Sequence, residues 1–355
     1  GSVSLRPGGQ LNRAEFKRVQ IGQWIDAPLE FVGRGQGQAP LLRVLGGSLD
    51  LRETSLTSGR EPSDRQANRK SAPIEAVLDQ LYISDTIRLT KVRANLKTQN
   101  GLDGVFTGLV NGGAPIKGQI VPKDGRSAFR LQSDNAAAVL ASAGLLQQAR
   151  NGKLDISLLP GDKPGVYEGY LKATGNIRIK KAPTMAALLN AISVVGLLEQ
   201  MGGEGIHFEV VEGRFQLSKD RLTLYSGSAV GASMGISMDG YYFPATGMVD
   251  MQGVVSPLFV LNGLGGVFTR RGEGLIGFNY AVKGPKENVK VRVNPLSALT
   301  PAMFRNLFRR APPEPSTATR DSGGVAVPSS DGLNAGGTGS NQDDGLFSGQ
   351  SAPDR

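Results

Sequence analysis

Side chains that commonly perform acid, base or nucleophilic chemistry are scarce in this sequence. It contains no Cys and a single His, His207. The missing thiols exclude thiol catalysis, disulfides and thiolate metal sites, and one His gives little support to a Ser-His-Asp nucleophile or a His-rich metal site. His207 is expected on the polar side of a strand beside Glu209. Carboxylates such as Asp134 and Glu199 could take part in acid–base chemistry, but no pattern singles them out. We therefore expect no enzyme, with no catalytic residues and no metal.

Two glycine-rich segments are candidates for phosphate-binding loops. They are GRGQGQ at 33–38 and GLGGVFTRRGEG at 263–274. The first lacks the third glycine of a dinucleotide fingerprint and no helix follows it, and the second lies between strands without the Lys-Ser/Thr pair. Their glycines are interpreted as turn residues, so no cofactor is expected.

The composition favours a β-rich protein of one large or two ordinary domains. The chain has 355 residues, 39% of them hydrophobic, and 49 glycines. Glycine at this density among alternating apolar residues is typical of many short strands joined by tight turns. The net charge of +9 comes from Lys and Arg spread along the whole chain, which indicates a solvated basic face and no nucleic-acid partner.

The longest apolar stretch predicts a helix over 184–201. Pro183 suits the first helical turn, and Gly202-Gly203 is expected to end the helix in a left-handed cap. Asn190 and Ser193 interrupt the apolar run, which is shorter than the roughly 20 residues of a bilayer crossing. Two interpretations remain open: a core helix packed on a sheet, or a helix lining an apolar groove of lipid size.

Other segments divide the chain into strands, helices and loops. Strands with one apolar face are predicted over 1–57, followed by an exposed polar loop at 58–73 and a short helix from Pro73 to Tyr82. A second apolar helix is predicted over 135–149, capped by Ser133-Asp134. Hairpins and meanders fill most of the remainder up to Asn294. Residues 311–355 are poor in apolar side chains and are expected to be disordered.

A basic amphipathic helix is predicted over 301–310. It either caps the end of the sheet or contacts an anionic membrane surface or a partner. The residues assigned to that contact are Phe304, Arg305, Leu307, Phe308, Arg309 and Arg310.

Four long motifs resemble the C-terminal part of AsmA-like proteins, the superfamily that includes YhdP and TamB, and most closely its alphaproteobacterial members. They are APTMAALLNAISVVGLLEQMGGEGIHF, SAVGASMGISMDG, MQGVVSPLFVLNGLGGVFTRRGEGLIGFNYAVKG and VRVNPLSALTPAMFRNLFRR. The likeness covers roughly Ile74 to Arg310, so 74–310 is interpreted as the AsmA-like C-terminal domain, with 1–57 continuing an upstream groove. One departure is Ala302, where relatives commonly have glycine.

The resemblance implies an elongated, curved antiparallel sheet whose concave side is an apolar groove, with helices packed at the groove or capping it. It further implies a periplasmic module, anchored in the inner membrane by an N-terminal segment, of a bridge-like protein that moves phospholipid between the inner and outer membranes. The chain opens with Gly-Ser and no Met, which agrees with a segment upstream. Phospholipid, and a membrane surface or outer-membrane protein, are the partners implied.

The alternation in the sequence agrees with such a groove, although a closed β-sandwich would show the same period. The alternative function is a non-catalytic envelope scaffold that binds a protein partner during outer-membrane assembly. The residues expected to line the groove or plug its end are Leu188, Leu189, Ile192, Val195, Leu198, Phe208, Phe215, Leu217, Leu222, Leu224, Ile276, Phe278 and Val291.

Overall fold

In the computed structural model the described residues form a single curved sheet of 19 strands. The structure describes residues 1–52, 71–98, 101–144, 146–192, 199–200, 202–257, 276–299 and 310–314. Strands make up 61% of it and helices 9%. The predicted fold class, mainly β with a curved sheet and few helices, is confirmed.

The strands follow one another along the chain with short connections. Their bounds are β1 Ser2–Leu5, β2 Leu11–Ile21, β3 Ile25–Val32, β4 Leu41–Leu45, β5 Ser48–Asp50, β6 Ala72–Tyr82, β7 Arg88–Thr98, β8 Leu102–Val110, β9 Ala114–Lys123, β10 Arg126–Ser133, β11 Ala149–Arg150, β12 Lys153–Pro160, β13 Tyr167–Ile179, β14 Ile206–Leu217, β15 Leu222–Val230, β16 Met234–Phe243, β17 Met248–Pro257, β18 Phe278–Pro285 and β19 Lys290–Asn294. Among the described residues the α-helices are α1 Ala136–Ser142 and α2 Pro183–Ala191, and a 3-10 helix covers Pro295–Leu299.

The sheet is a meander in which most strands pair antiparallel with the next. β4 and β5 together occupy one position between β3 and β6, and they run parallel to β6. The sheet is therefore mixed, and the prediction of a purely antiparallel sheet is wrong at this point. β6 starts at the same end of the sheet as β4 and therefore runs in the same direction. A tight hairpin between them would instead have made the two strands antiparallel.

Two rows of directly paired residues cross the sheet and contain only apolar or glycine residues. The first row is Val3, Ala14, Phe31, Leu42, Ile74, Leu96, Gly104, Ile120, Phe129, Leu158, Gly169, Phe215, Leu224, Gly240, Met251, Val282 and Val291. The second row is Phe16, Leu29, Val44, Ala76, Ala94, Phe106, Gly118, Leu131, Ile156, Leu171, Gly213, Gly227, Met238, Gly253, Tyr280 and Val293. Paired residues share a face of a sheet, so the two rows form one apolar face.

Glycines in these rows are covered by aromatic rings from the neighbouring strand. A Cβ added to Gly118 would lie 2.1 Å from the ring of Phe106, and one added to Gly169 would lie 2.3 Å from the ring of Phe215. The ring thus fills the space that the missing side chain leaves, which keeps the apolar face continuous. Part of the high glycine content therefore serves the face of the sheet as well as turns.

One segment that was predicted as a helix is a strand. The prediction of a helix over Pro73–Tyr82 is wrong, because this segment is β6. Ile74, Val77, Leu78 and Leu81 lie at helical spacing, whereas Ile74, Ala76 and Leu78 recur at every second position, and strands on both sides satisfy the β6 backbone. Strand pairing therefore prevailed over a local pattern that is compatible with either structure.

The two helices lie where the sequence places them but differ in length and capping. α1 begins after Asn135, whose side chain accepts a 2.9 Å hydrogen bond from the Ala138 N–H, so Asn135 is the cap and not Ser133-Asp134. α1 ends at Ser142, well before residue 149, because Gly144 adopts a left-handed conformation. Residues 193–198 and 301–309, and most of the loop predicted at 58–73, lie outside the described residues.

The left-handed glycine after the central helical region is Gly205. Its φ is +97°, and its N–H donates a 2.7 Å hydrogen bond to the carbonyl of Gln200. Gly202 and Gly203 do not have positive φ values, so the cap predicted there is wrong. A third glycine nearby takes the role because the chain turns into β14 only after residue 205.

The packing of Phe106 on Gly118 predicts a specific loss of stability. Gly118→Ala should lower the free energy of unfolding by about 1–3 kcal/mol, because the new methyl group collides with the ring. Urea unfolding followed by circular dichroism measures the change. Phe106→Ala should remove most of the penalty in the double variant, and Gly202→Ala, which meets nothing within 4 Å, should leave stability unchanged or slightly higher. Equal losses at Gly118 and Gly202 would contradict the packing argument.

Candidate functional site

The apolar face is only partly shielded over most of the sheet. In its central part Phe106, Leu131, Ile156 and Leu171 are half-buried. A sealed sandwich core would bury such side chains almost completely. This region therefore presents an accessible apolar furrow, defined here as the two apolar rows from β3 to β13.

Six of the residues predicted to line the groove lie on the same apolar face, farther along the sheet. Phe215 and Leu224 are direct partners in the first row, Leu217 pairs with Leu222, and Phe278 pairs with Val255. The six residues are Phe215, Leu217, Leu222, Leu224, Phe278 and Val291. Their common placement follows from alternation, which the sequence displays directly.

Four other predicted lining residues belong to a sealed core at one end of the sheet. Leu188 and Leu189 of α2, the following Ile192, and Phe208 of β14 are between 0% and 8% exposed. α2 lies between β13 and β14 in the chain yet contacts β19. These four residues are therefore core side chains, and α2 packs on the sheet at its last strand, in agreement with the expectation of helices packed at the groove.

The remaining predicted lining residues do not join this set. Ile276 precedes β18 and is 53% exposed. Val195 and Leu198 lie outside the described residues. Ile276 lies two residues before Phe278, in phase with the apolar alternation of β18, and its assignment to the groove stays a prediction.

Of the basic C-terminal helix, the structure describes Arg310 alone, and Phe304, Arg305, Leu307, Phe308 and Arg309 lie outside the described residues. The Arg310 backbone N–H donates to the Gln252 side chain, and its guanidinium lies 3.2 Å from an oxygen of Asp250 and over the ring of Tyr241. Arg310 is thereby attached to the polar side of the sheet.

The face opposite the furrow, termed the charged face, carries paired ions from strand to strand. Its members include the pairs Arg43–Glu75 at 2.8 Å, Arg130–Asp155 at 2.6 Å and Lys172–Glu212 at 3.4 Å. Glu30 is the most buried of these groups, with 4% of its side chain exposed, and Arg13 lies 2.5 Å from it. Charges of opposite sign on neighbouring strands stabilise the sheet in this register.

Hydrogen bonds and a neighbouring charge keep the Asp155 carboxyl group of the charged face ionised. Partial burial raises the pKa of its carboxyl group, but hydrogen bonds from Arg130 and Gln132 and the Arg130 charge lower it by more. The net pKa of Asp155 lies below the ordinary value for Asp.

The groups of the described part of the chain that bear on catalysis or metal binding are its one His and its carboxylates. His207 forms a 2.7 Å hydrogen bond between its Nδ1 and the Asn176 side-chain oxygen. Within the described residues, no three His, Asp or Glu side chains converge as a metal site would require. No helix among those residues has the length and apolar character of a membrane span.

The sequence reveals the alternation of apolar and polar residues along the strands, but it does not reveal that the charged residues form one organised surface. The pairing of Arg130 with Asp155, 25 positions apart, depends on strand register, which composition does not reveal.

No protein-family model, curated protein or solved structure matches the chain.

The ion pairs of the β2–β3 hairpin predict unequal effects of two arginine truncations. Arg13→Ala should lower the free energy of unfolding by about 1–3 kcal/mol, because it leaves the buried Glu30 with only Arg43, 3.8 Å away. Arg18→Ala breaks the exposed Arg18–Asp26 pair and should cost at most about 1 kcal/mol. Chemical unfolding of both variants compares them, and equal losses would contradict the role of Glu30 burial.

Acidification should remove the contribution of the Asp155 carboxylate to the stability of the fold. Because its pKa is lower in the folded state than the ordinary ~3.9, its stabilisation is fully present above about pH 4 and is lost as pH falls through the folded pKa. Asp155→Asn cannot show this dependence. The difference in unfolding free energy between the parent chain and this variant should therefore shrink from about pH 6 to about pH 2.5, and a constant difference would count against the ion pair.

Proposed function

We propose that this protein binds phospholipid and conducts it along the apolar face of its sheet. The observation that carries the proposal is the continuity of the two apolar rows, the first from β1 to β19 and the second from β2 to β19, with half-buried side chains in the central furrow. Among the paired residues of these rows none is charged. The resemblance to AsmA-like proteins predicts the same role.

The cost of exposing an acyl chain to water favours a continuous apolar lining along the path of the lipid. An acyl chain that leaves a bilayer loses about 0.8 kcal/mol of stabilisation for each CH₂ exposed to water. The rows cross roughly 75 Å at about 4.8 Å per strand, so a chain moving along them stays in contact with apolar side chains. This function needs no catalytic group, and we propose a non-enzymatic role.

The location follows from the same proposal. A lipid-conducting module between two membranes would work in the periplasm, held at the inner membrane by an N-terminal anchor, and would take part in outer-membrane biogenesis. The C-terminal end, where α2 packs, would then be the end that faces an outer-membrane surface or protein.

A second candidate is an envelope scaffold that binds a protein partner by strand addition. It is favoured by β1, which pairs on one side with β2 and has Val3 and Leu5 62% and 61% exposed. An uncovered edge strand with exposed apolar side chains can template a further strand.

Neighbouring residues of β13 provide a matched test of lipid contact. A photo-crosslinking amino acid at Leu171, on the apolar face, should label phospholipid in cells or in lipid extracts. The same group at Tyr170, on the opposite face and 41% exposed, should label little or none. Mass spectrometry of the adducts measures the ratio, for which we expect at least a fivefold excess at Leu171.

Two results of this experiment would reject lipid conduction. One is equal labelling at the two positions, and the other is no lipid at Leu171. Capture of an envelope protein by a crosslinker at Leu5, together with no lipid at Leu171, would favour the scaffold.

A further inference from the structure

The charged face contains a cleft that the proposed lipid function does not use. Its volume is about 840 Å³, and it crosses the sheet from β3 to β10. Alternate residues of each strand that lie on the charged face line it, among them Arg43, Glu75, Arg93, Val105, Lys117 and Arg130. Between them, the lining also includes Val44, Ala76, Ala94, Phe106 and Gly118 of the second apolar row.

Positive charge is in excess in this cleft. Four of its lining side chains are cationic, namely Arg43, Arg93, Lys117 and Arg130, against the two carboxylates Glu30 and Glu75. Arg43 pairs with both carboxylates, and Arg130 pairs with Asp155.

Arg93 and Lys117 form no ion pair or side-chain hydrogen bond within the described part of the chain. Both are direct strand partners of Thr107, so they stand about 10 Å apart across β8. Two cations at this separation are available to an anionic ligand.

Apolar side chains stand beside these cations. Leu45, Val77 and Val105 line the cleft and are 54%, 43% and 39% exposed. Val77 is the strand partner of Arg93. The cleft therefore suits a ligand that combines negative charge with apolar groups.

The shape of the cleft favours a linear ligand. It follows the strand-to-strand direction for roughly 30 Å at about 4.8 Å per strand. An extended peptide of roughly nine residues covers that length at about 3.3 Å per residue. An acidic peptide with adjacent apolar side chains matches both the length and the surface.

The chain itself supplies such a peptide. The C-terminal sequence SNQDDGLFSG at 340–349 contains Asp343 and Asp344 followed by Leu346 and Phe347. It is the only place in 315–355 where two adjacent acids stand within three residues of two large apolar side chains. We infer that Asp343–Phe347 docks into the cleft, with the carboxylates at Arg93 and Lys117 and the apolar pair at Val77 and Val105.

The path of the chain allows this contact. Arg310 lies on the same charged face, bound to Gln252 of β17. From there to β8 the sheet measures roughly 40 Å, and the more than 30 residues between Arg310 and Asp343 span up to about 100 Å when extended. The segment can therefore reach the cleft without crossing an edge of the sheet.

A photo-crosslinker at Val105 in the full chain tests the contact. We expect an intramolecular crosslink to residues 340–349, identified by peptide mass spectrometry. Arg93→Glu with Lys117→Glu should lower its yield at least fivefold, as should Asp343→Lys with Asp344→Lys. Combining all four substitutions should restore the crosslink, because the charges are then complementary again.

Controls separate docking from general effects of charge. Arg214→Glu, on the charged face but outside the cleft, should leave the yield unchanged, and circular dichroism should show the same fold for every variant. Crosslinks to other parts of the chain, crosslinks only between two copies, a yield indifferent to charge reversal, or no rescue by the fourfold swap would each overturn the inference. None of these readouts depends on lipid, so the inference stands or fails separately from the proposed function.

Discussion

Strand register is the constraint on which the rest of this structure depends. Side chains alternate between the two faces of a strand, so a slip of one residue would move an entire apolar set to the opposite face. Leu131, for example, pairs with both Gly118 and Ile156, while its neighbour Arg130 pairs with Gln119 and Ser157. The same separation is maintained from one strand to the next, and it produces one apolar and one charged face.

The burial of the two faces changes along the sheet. In the furrow no second β-layer covers the apolar rows within the described residues, and side chains such as Ile156 stay half-buried. Near α2 the opposite holds, because residues of β17 such as Val254 and Val255 are fully buried on both faces. The protein thus combines an accessible apolar surface with a well-packed end.

The sequence predicted the alternating strands well because alternation is a local property. The segment Leu154–Leu158 shows its two faces in the letters alone, and the structure agrees. The sequence was misleading at β6, where Ile74 and Leu78 fit both the helical and the strand period, and at the helix caps, where Asn135 and Gly205 act instead of their neighbours. Register, ring-over-glycine packing and the charged cleft could not be predicted, since each depends on which strands become neighbours.

The amount of phospholipid that co-purifies with the protein tests the central claim most directly. Native mass spectrometry after mild extraction should detect bound phospholipid on the parent chain. Placing carboxylates in the furrow with Phe106→Asp and Ile156→Asp should reduce the lipid-bound fraction at least fivefold while the circular dichroism spectrum is retained. A folded parent chain free of lipid, or a bound fraction that these substitutions leave unchanged, would contradict the account.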